Sequence, residues 1–209
     1  MEALHRALRP VRPWMVYALG SLPLLMLIWQ TVNGALGVDP VKTIEHRLGE
    51  VALQLIVAGL CVTPLRRFVG LNLMRFRRQI GVLAFVYAGL HLFVWVTLDL
   101  QFRWSEIGND LVKRPYIILG MAAFLMLLPL ALTSNNLSIR RMGAAAWQRL
   151  HRLVYPAALL AAAHFIWVMK AWAAEPMIYL ALITGLLGLR LVPRSRPAQR
   201  ARVPGPEPR

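Results

Sequence analysis

Two histidines, His91 and His164, lie in the middle of long apolar stretches that carry no charged residue. A polar side chain in a membrane-spanning stretch is costly, so it is expected to face the interior of a helix bundle and to have a partner there. A neutral imidazole is also a good ligand for haem iron. The alternative is a pair of buried structural histidines, each hydrogen-bonded to a backbone carbonyl.

The spacing from flanking arginines places both histidines at one depth. His91 follows Arg78 by 13 residues, and His164 follows Arg152 by 12. At about 1.5 Å per residue, each lies about 18–20 Å from the same membrane boundary, since both helices begin on that side. Two imidazoles that face each other at one level, in surroundings too apolar for a hydrated ion, predict bis-axial ligation of a haem b iron by His91 and His164.

His151 lies 13 residues before His164, about 20 Å lower along a straight helix and about 140° around it. At that level the other helix offers Arg77 and Arg78 instead of a histidine. Three interpretations of His151 stay open: ligation of a haem on one side, contact with a flavin or quinone, or an ordinary interfacial position. Arg77 and Arg78 would offset the charge of a haem propionate or a flavin phosphate, although a role in membrane topology is the simpler interpretation.

The other reactive side chains predict less. His5 is expected at the surface, and Glu45, His46, Arg47 and Glu50 are expected to form an interfacial ion-pair network. The single cysteine excludes an intramolecular disulfide, a CxxCH haem attachment and any multi-cysteine metal site. The chain has no GxGxxG motif, no Walker loop, no HExxH motif and no Ser/His/Asp arrangement. Electrons must therefore come from a membrane quinol or from another protein.

The composition is that of a membrane protein. Of the 209 residues, 58% are apolar and 16% charged, and the mean hydropathy is +0.54, whereas soluble domains carry about 25% charged residues. A net charge of +15 would suit nucleic acid, but the basic residues lie between long apolar runs. We therefore expect no nucleic-acid partner and a secondary attraction to anionic membrane lipid.

Six stretches are long and apolar enough to span a membrane, or nearly so: residues 14–32, 48–65, 80–98, 116–132, 153–169 and 177–192. Eighteen of the 24 Lys and Arg residues lie at the two termini and in the second and fourth connections. This predicts an all-α, six-transmembrane-helix bundle with both termini cytoplasmic. Residues 1–13 would be a cytoplasmic segment, 14–192 the haem-binding domain, and 193–209 a disordered basic tail.

An ordered set of short motifs resembles the MsrQ family, the haem-binding membrane subunits of the bacterial MsrPQ methionine sulfoxide reductase system. That family is similar in turn to the transmembrane domain of ferric reductases and NADPH oxidases. The motifs run from the first predicted helix into the fifth: Asn33-Gly34, residues 36–40, Ile44-Glu45-His46, Thr63-Pro64-Leu65, Arg77-Arg78 with Gly81, Leu90-His91, residues 113–116, residues 131–134, residues 147–152, Tyr155, and His164 with Trp167.

The resemblance implies a ferric reductase-like bundle in the bacterial inner membrane, with haem b ligated by His91, His151 and His164. It implies one haem, leaves a second haem and FMN open, and gives electron delivery to the periplasmic molybdenum-containing subunit MsrP. MsrP would then reduce methionine sulfoxide in oxidised periplasmic proteins. The implied donor is the quinone pool, with a cytoplasmic flavin reductase as the alternative. NADPH oxidases have two histidines on each of two helices, and this sequence lacks one of the four.

We therefore expect a redox subunit that transfers electrons without catalysing the reduction of methionine sulfoxide itself. The connection from Asp99 to Arg114 is the expected docking surface for a soluble partner. One rival function is a self-sufficient transmembrane ferric or metal reductase. The other is a haem-free transporter or proton channel that uses His91, His164 and Glu50 as a relay.

Overall fold

The structure, a computed structural model, describes residues 10–169 and 174–192, and every regular element in these ranges is helical. In chain order the α-helices are α1 (Pro13–Val32), α2 (Pro40–Pro64), α3 (Arg77–Val94), α4 (Trp104–Lys113), α5 (Pro115–Leu132), α6 (Asn136–Met142), α7 (Ala144–Leu150), α8 (Val154–Val168) and α9 (Ala174–Leu191). Single π-helical turns, Leu65–Val69 and Trp95–Asp99, prolong α2 and α3. Short 3₁₀ turns, Met74–Phe76 and His151–Leu153, precede α3 and α8.

Five helical stretches in the described ranges are long and apolar enough to cross a membrane: Pro13–Val32, Pro40–Val69, Met74–Asp99, Pro115–Leu132 and Ala174–Leu191. They confirm an all-helical protein with several membrane spans. The predicted fifth span corresponds to α8, which has only 15 residues. A membrane-spanning role for α8, and with it a total of six spans, stays a prediction, as does the cytoplasmic position of both termini.

Two connections differ from the expected loops. The connection at residues 99–114 contains α4, and the one at residues 134–152 contains α6 and α7. Hydropathy misses α4 because the helix is short and mixed in polarity; its Ile107 and Leu111 pack against a small cluster formed by Trp95, Leu100 and Ile117. The predictions for His5 and for the tail at residues 193–209 lie outside the described residues, as does most of the N-terminal segment.

Proline sets the start of three helices. Pro13, Pro40 and Pro115 are the first residues of α1, α2 and α5, where the fixed φ angle suits the helix and the missing N–H needs no partner. Asp39 caps α2, because its carboxylate accepts a hydrogen bond of 3.0 Å from the amide of Lys42. The second helix thus begins eight residues before the predicted apolar span.

The hydroxyl of Tyr87 on α3 bridges two backbone groups of α1 next to Pro23. Its hydroxyl donates to the carbonyl of Gly20 at 2.6 Å and accepts from the amide of Leu24 at 3.1 Å. In a regular helix that carbonyl and that amide would bond to each other, so the hydroxyl is inserted into one i→i−4 hydrogen bond of α1. Tyr87 is only 2% exposed, and it joins α1 to the bundle by polar bonds as well as by packing.

The bundle is built from two helix pairs, α2 with α3 and α5 with α8, and α9 packs on α8 and α2. The centre of α8 is made of small residues: Ala157, Ala158 and Ala162 are fully buried, which lets neighbouring backbones approach closely. Pro156 lies in the first turn of α8, where proline is tolerated, and so it does not interrupt the helix. We call the end of the bundle where α2 and α5 begin the α4 end, and the opposite end the α7 end.

Candidate functional site

A cavity of about 370 Å³ lies between α2, α3, α5 and α8, toward the α4 end. Its volume is within the usual range of small-molecule and cofactor sites, about 300–1,000 Å³. The walls are mostly apolar, and both His91 and His164 line them. No charged residue in the described ranges is buried. His91 and His164 are thus polar side chains within a largely apolar wall.

The two imidazoles lie close together in the wall of this cavity, with their planes nearly perpendicular. Their ring centroids are 6.2 Å apart and their planes are inclined by 79°. If each nitrogen lies about 2 Å from one metal ion, and each ring has a radius of about 1.1 Å, the centroids of two opposed ligands are about 6 Å apart. The observed separation therefore agrees with that of two imidazoles that bind one metal ion from opposite sides.

The neighbouring helices select one tautomer of each ring. The Nδ1–H of His91 donates to the carbonyl of Glu45 at 2.8 Å, and the Nδ1–H of His164 donates to the carbonyl of Tyr116 at 2.7 Å. A carbonyl only accepts, so Nδ1 carries the proton and Nε2 keeps its lone pair. Such a bond also suits a structural histidine. Histidines that bind a metal nearly always have one too, because it fixes the tautomer and the orientation of the ring.

Charged side chains surround the mouth of the cavity. Lys42 and Arg114 both line it. The ammonium of Lys42 lies 3.1 Å from Glu45 and 2.8 Å from Asp99, and Arg114 lies 3.0 Å from Asp110. The close ion pairs at the start of α2 are made by Lys42, which the expected network did not include, while Arg47 interacts electrostatically with Glu50 as expected. Both cations at the mouth are thus already paired with carboxylates of the chain.

Other predicted polar residues, His46 and Glu50, line the cavity without approaching the histidine pair through a hydrogen bond. The carboxylate of Glu50 accepts a bond of 2.9 Å from Gln54, whose amide also donates to Tyr179 of α9 at 3.0 Å. This short polar chain ties α2 to α9. It does not connect Glu50 with His91 or His164 as a relay would require.

His151 lies apart from the cavity, at the α7 end. Its ring stacks on Trp147 with centroids 3.8 Å apart, and its Nδ1–H donates to the Trp147 carbonyl at 3.2 Å. Burial lowers the pKa of the His151 imidazole, which favours the neutral ring. Its Nε2 is buried and makes no hydrogen bond of standard geometry, although the Leu130 backbone carbonyl also interacts with the ring.

Arg77 and Arg78 also lie away from the cavity. The guanidinium of Arg77 interacts with the hydroxyl of Tyr155 and is near Arg190, and that of Arg78 donates to Asn136 at 2.6 Å. Besides His151 Nε2, two further buried polar atoms in the described ranges lack a partner, Gln79 Oε1 and Arg190 Nε. All three belong to residues at the α7 end, so polar groups with unused hydrogen-bonding capacity collect there.

Sequence reasoning missed the groups that hold the histidine rings. The acceptors are backbone carbonyls on α2 and α5, and each lies four residues before a glycine, Gly49 or Gly120, whose missing side chain faces the imidazole. A carbonyl leaves no mark in the sequence. The two glycines are visible in the sequence, but the sequence does not show which ring each of them faces.

Comparison with known proteins gives a consistent result. Residues 47–162 match the family described as "Ferric reductase like transmembrane component". The "Protein-methionine-sulfoxide reductase heme-binding subunit MsrQ" of Brucella anthropi is 45% identical over 206 residues, which cover 96% of this chain and 92% of that protein. The protein of the same name from Brucella ovis is 45% identical over 196 residues, covering 94% of this chain and 87% of that protein.

Proposed function

Because the chain belongs to the MsrQ family of haem-binding subunits of protein-methionine-sulfoxide reductases, we propose that it passes electrons from the quinone pool to the periplasmic catalytic subunit MsrP. As a family member it is a non-catalytic redox subunit of the reductase. The reduction of methionine sulfoxide in oxidised periplasmic proteins would take place on MsrP. We place the chain in the bacterial inner membrane, with six spans and both termini cytoplasmic.

His91 and His164 are the proposed axial ligands of a haem b iron. The observation that carries this proposal is the 6.2 Å separation of the two rings in the wall of one cavity. Their hydrogen bonds to Glu45 and Tyr116 hold each Nε2 lone pair available and raise its basicity. When bound, the haem supplies a one-electron couple between ferric and ferrous iron.

The surrounding residues have two proposed roles. The apolar walls exclude water from the iron, and the low dielectric they create contributes to its reduction potential. Lys42 and Arg114 line the mouth, and each would exchange a carboxylate partner of the chain for a propionate in order to hold it. The cavity lies toward the α4 end, which is the side we assign to MsrP.

His151 is proposed to act at the α7 end, where the electron donor would bind. Because Nδ1 carries the proton, its Nε2 has a lone pair that can accept a hydrogen bond from a quinol hydroxyl. The same lone pair suits the haem iron that the family resemblance assigns to it. Arg77 and Arg78, near that end, are suited to a haem propionate or to the phosphate of FMN if a flavin reductase is the donor.

The test is an absorption spectrum of the detergent-purified protein, oxidised and dithionite-reduced. The wild-type protein should show a b-type spectrum, and His91→Ala and His164→Ala should each lose most of the haem. His46→Ala is the matched control, since His46 lines the same cavity without bonding to the pair. Unchanged haem content in both ligand variants would contradict the proposal.

The same preparations separate the rival functions. Colourless wild-type protein would favour a haem-free transporter or channel. Reduction of ferric chelates by the purified chain with a quinol as electron donor, at a rate that added MsrP does not change, would favour a self-sufficient metal reductase. Haem loss in His151→Ala with the His91–His164 spectrum retained would support a second haem at the α7 end, whereas loss of quinol oxidation with full haem content would support a quinone contact.

A further inference from the structure

The two histidine hydrogen bonds share one construction on two unrelated helices. His91 of α3 donates to the carbonyl of Glu45 on α2, and Gly49 follows that carbonyl by one turn. His164 of α8 donates to the carbonyl of Tyr116 on α5, and Gly120 follows by one turn. In both cases the acceptor is residue i and the glycine is residue i+4.

Helix geometry explains why this position is glycine. The carbonyl of residue i already accepts a bond from the amide of residue i+4, and it has a second lone pair that an outside donor can use. Side chains on a helix point back toward its N-terminus, so the side chain of residue i+4 lies over residue i on the same face. A donor from a neighbouring helix can reach the carbonyl there only if that side chain is absent.

The distances agree with this account. A Cβ atom added to Gly120 would lie 2.9 Å from Nδ1 and Cε1 of His164, and one added to Gly49 would lie 3.1 Å from Nδ1 of His91. Both are closer than ordinary van der Waals contact. The atoms in conflict belong to the imidazole rings, so an alanine would displace the ring before it displaced either backbone.

We propose that Gly49 and Gly120 are positioning residues that seat the two haem ligands against their carbonyl acceptors. This inference rests on the proposed function, since it assigns the ligand geometry to two residues that do not touch the iron. Each glycine provides the space in which the imidazole can both donate from Nδ1 and present Nε2 to the cavity. Because the overlap at Gly120 is the tighter one, His164 is the more dependent ligand.

The experiment measures haem binding and spin state in Gly49→Ala and Gly120→Ala. Loss of a ligand's outer hydrogen bond typically lowers metal affinity about 10-fold to 100-fold, and we expect a fall in haem affinity of that order in Gly120→Ala and a smaller fall in Gly49→Ala. Electron paramagnetic resonance of the haem that remains should show high-spin iron, which reports a missing or misplaced axial ligand. Gly81→Ala on α3 and Gly185→Ala on α9 are controls, because a Cβ at either position meets nothing within 4 Å.

A second measurement does not depend on haem. If the added methyl group is harmful because it overlaps the ring, Gly120→Ala should destabilise the haem-free protein, and Gly120→Ala combined with His164→Ala should recover the stability of His164→Ala alone. This comparison also covers the case in which Gly120→Ala folds poorly.

The outcomes are distinct. Wild-type haem affinity and low-spin spectra in both glycine variants would overturn the inference while leaving the proposed function intact. An equal loss in Gly81→Ala would also overturn it, because the effect would then be general to the bundle. A wild-type protein without haem would overturn both proposals together.

Discussion

Removing the Tyr87 hydroxyl should weaken the bundle at one identified point. In Tyr87→Phe, the carbonyl of Gly20 and the amide of Leu24 lose the hydroxyl that joins them. Hydrogen bonds between membrane helices contribute about 0.6 kcal/mol on average and up to about 1.7 kcal/mol each. Two such bonds at a site that is 2% exposed give an expected loss of about 1–3 kcal/mol in the free energy of unfolding.

Pro23 supplies the second half of the experiment. Proline disturbs the helix backbone around itself, so in Pro23→Ala the carbonyl of Gly20 and the amide of Leu24 are expected to pair directly. Tyr87→Phe should then cost clearly less in the Pro23→Ala background than in the wild-type protein. The difference between the two costs is the coupling energy of the pair of substitutions.

Both costs can be measured by SDS titration in mixed micelles, followed by circular dichroism. Tyr17→Phe is a matched control on α1, since Tyr17 is exposed and its substitution should change little. An equal cost of Tyr87→Phe in both backgrounds would refute the account, because the hydroxyl would then be acting independently of the break at Pro23.

Two further substitutions test polar contacts at the α7 end. Trp147→Phe keeps an aromatic ring but removes the donor to the Thr133 carbonyl, at 2.9 Å; we expect a loss of about 1 kcal/mol in unfolding free energy, and no measurable loss would show that this bond is not stabilising. Arg190→Lys removes the guanidinium, which donates to the Leu60 carbonyl at 2.8 Å and to the Tyr155 hydroxyl at 2.7 Å at the same time. Lysine is a point donor that cannot bridge both, so thermal denaturation should show reduced stability, and an unchanged midpoint would contradict a bridging role.

The depth of the two central histidines could be predicted because helical rise is nearly constant. Counting residues from Arg78 and Arg152 placed His91 and His164 level, and the structure brings their rings together. Hydropathy is likewise a local property, and five predicted spans have their counterparts among the described helices.

The features that sequence reasoning missed depend on neighbours. The start of α2 at Pro40 was missed because its first turns contain Lys42 and Glu45, which are polar and lie at the end of the bundle. Gly49 and Gly120 were not singled out, since a glycine in a helix has meaning only once the ring opposite it is known. The direction of the His151 side chain likewise depends on the short helices α6 and α7 and on the 3₁₀ turn before α8. The composition does not predict these elements.

The division of the bundle into two helix pairs has a consequence for biogenesis. Each pair carries one imidazole together with the carbonyl to which it donates, so neither helix pair alone holds both of the proposed haem ligands. A porphyrin bound between them would stabilise the assembled bundle relative to helix pairs that have not yet packed together. This stabilisation would increase with the free concentration of haem. Haem supply during growth would then govern how much of this subunit persists in the membrane.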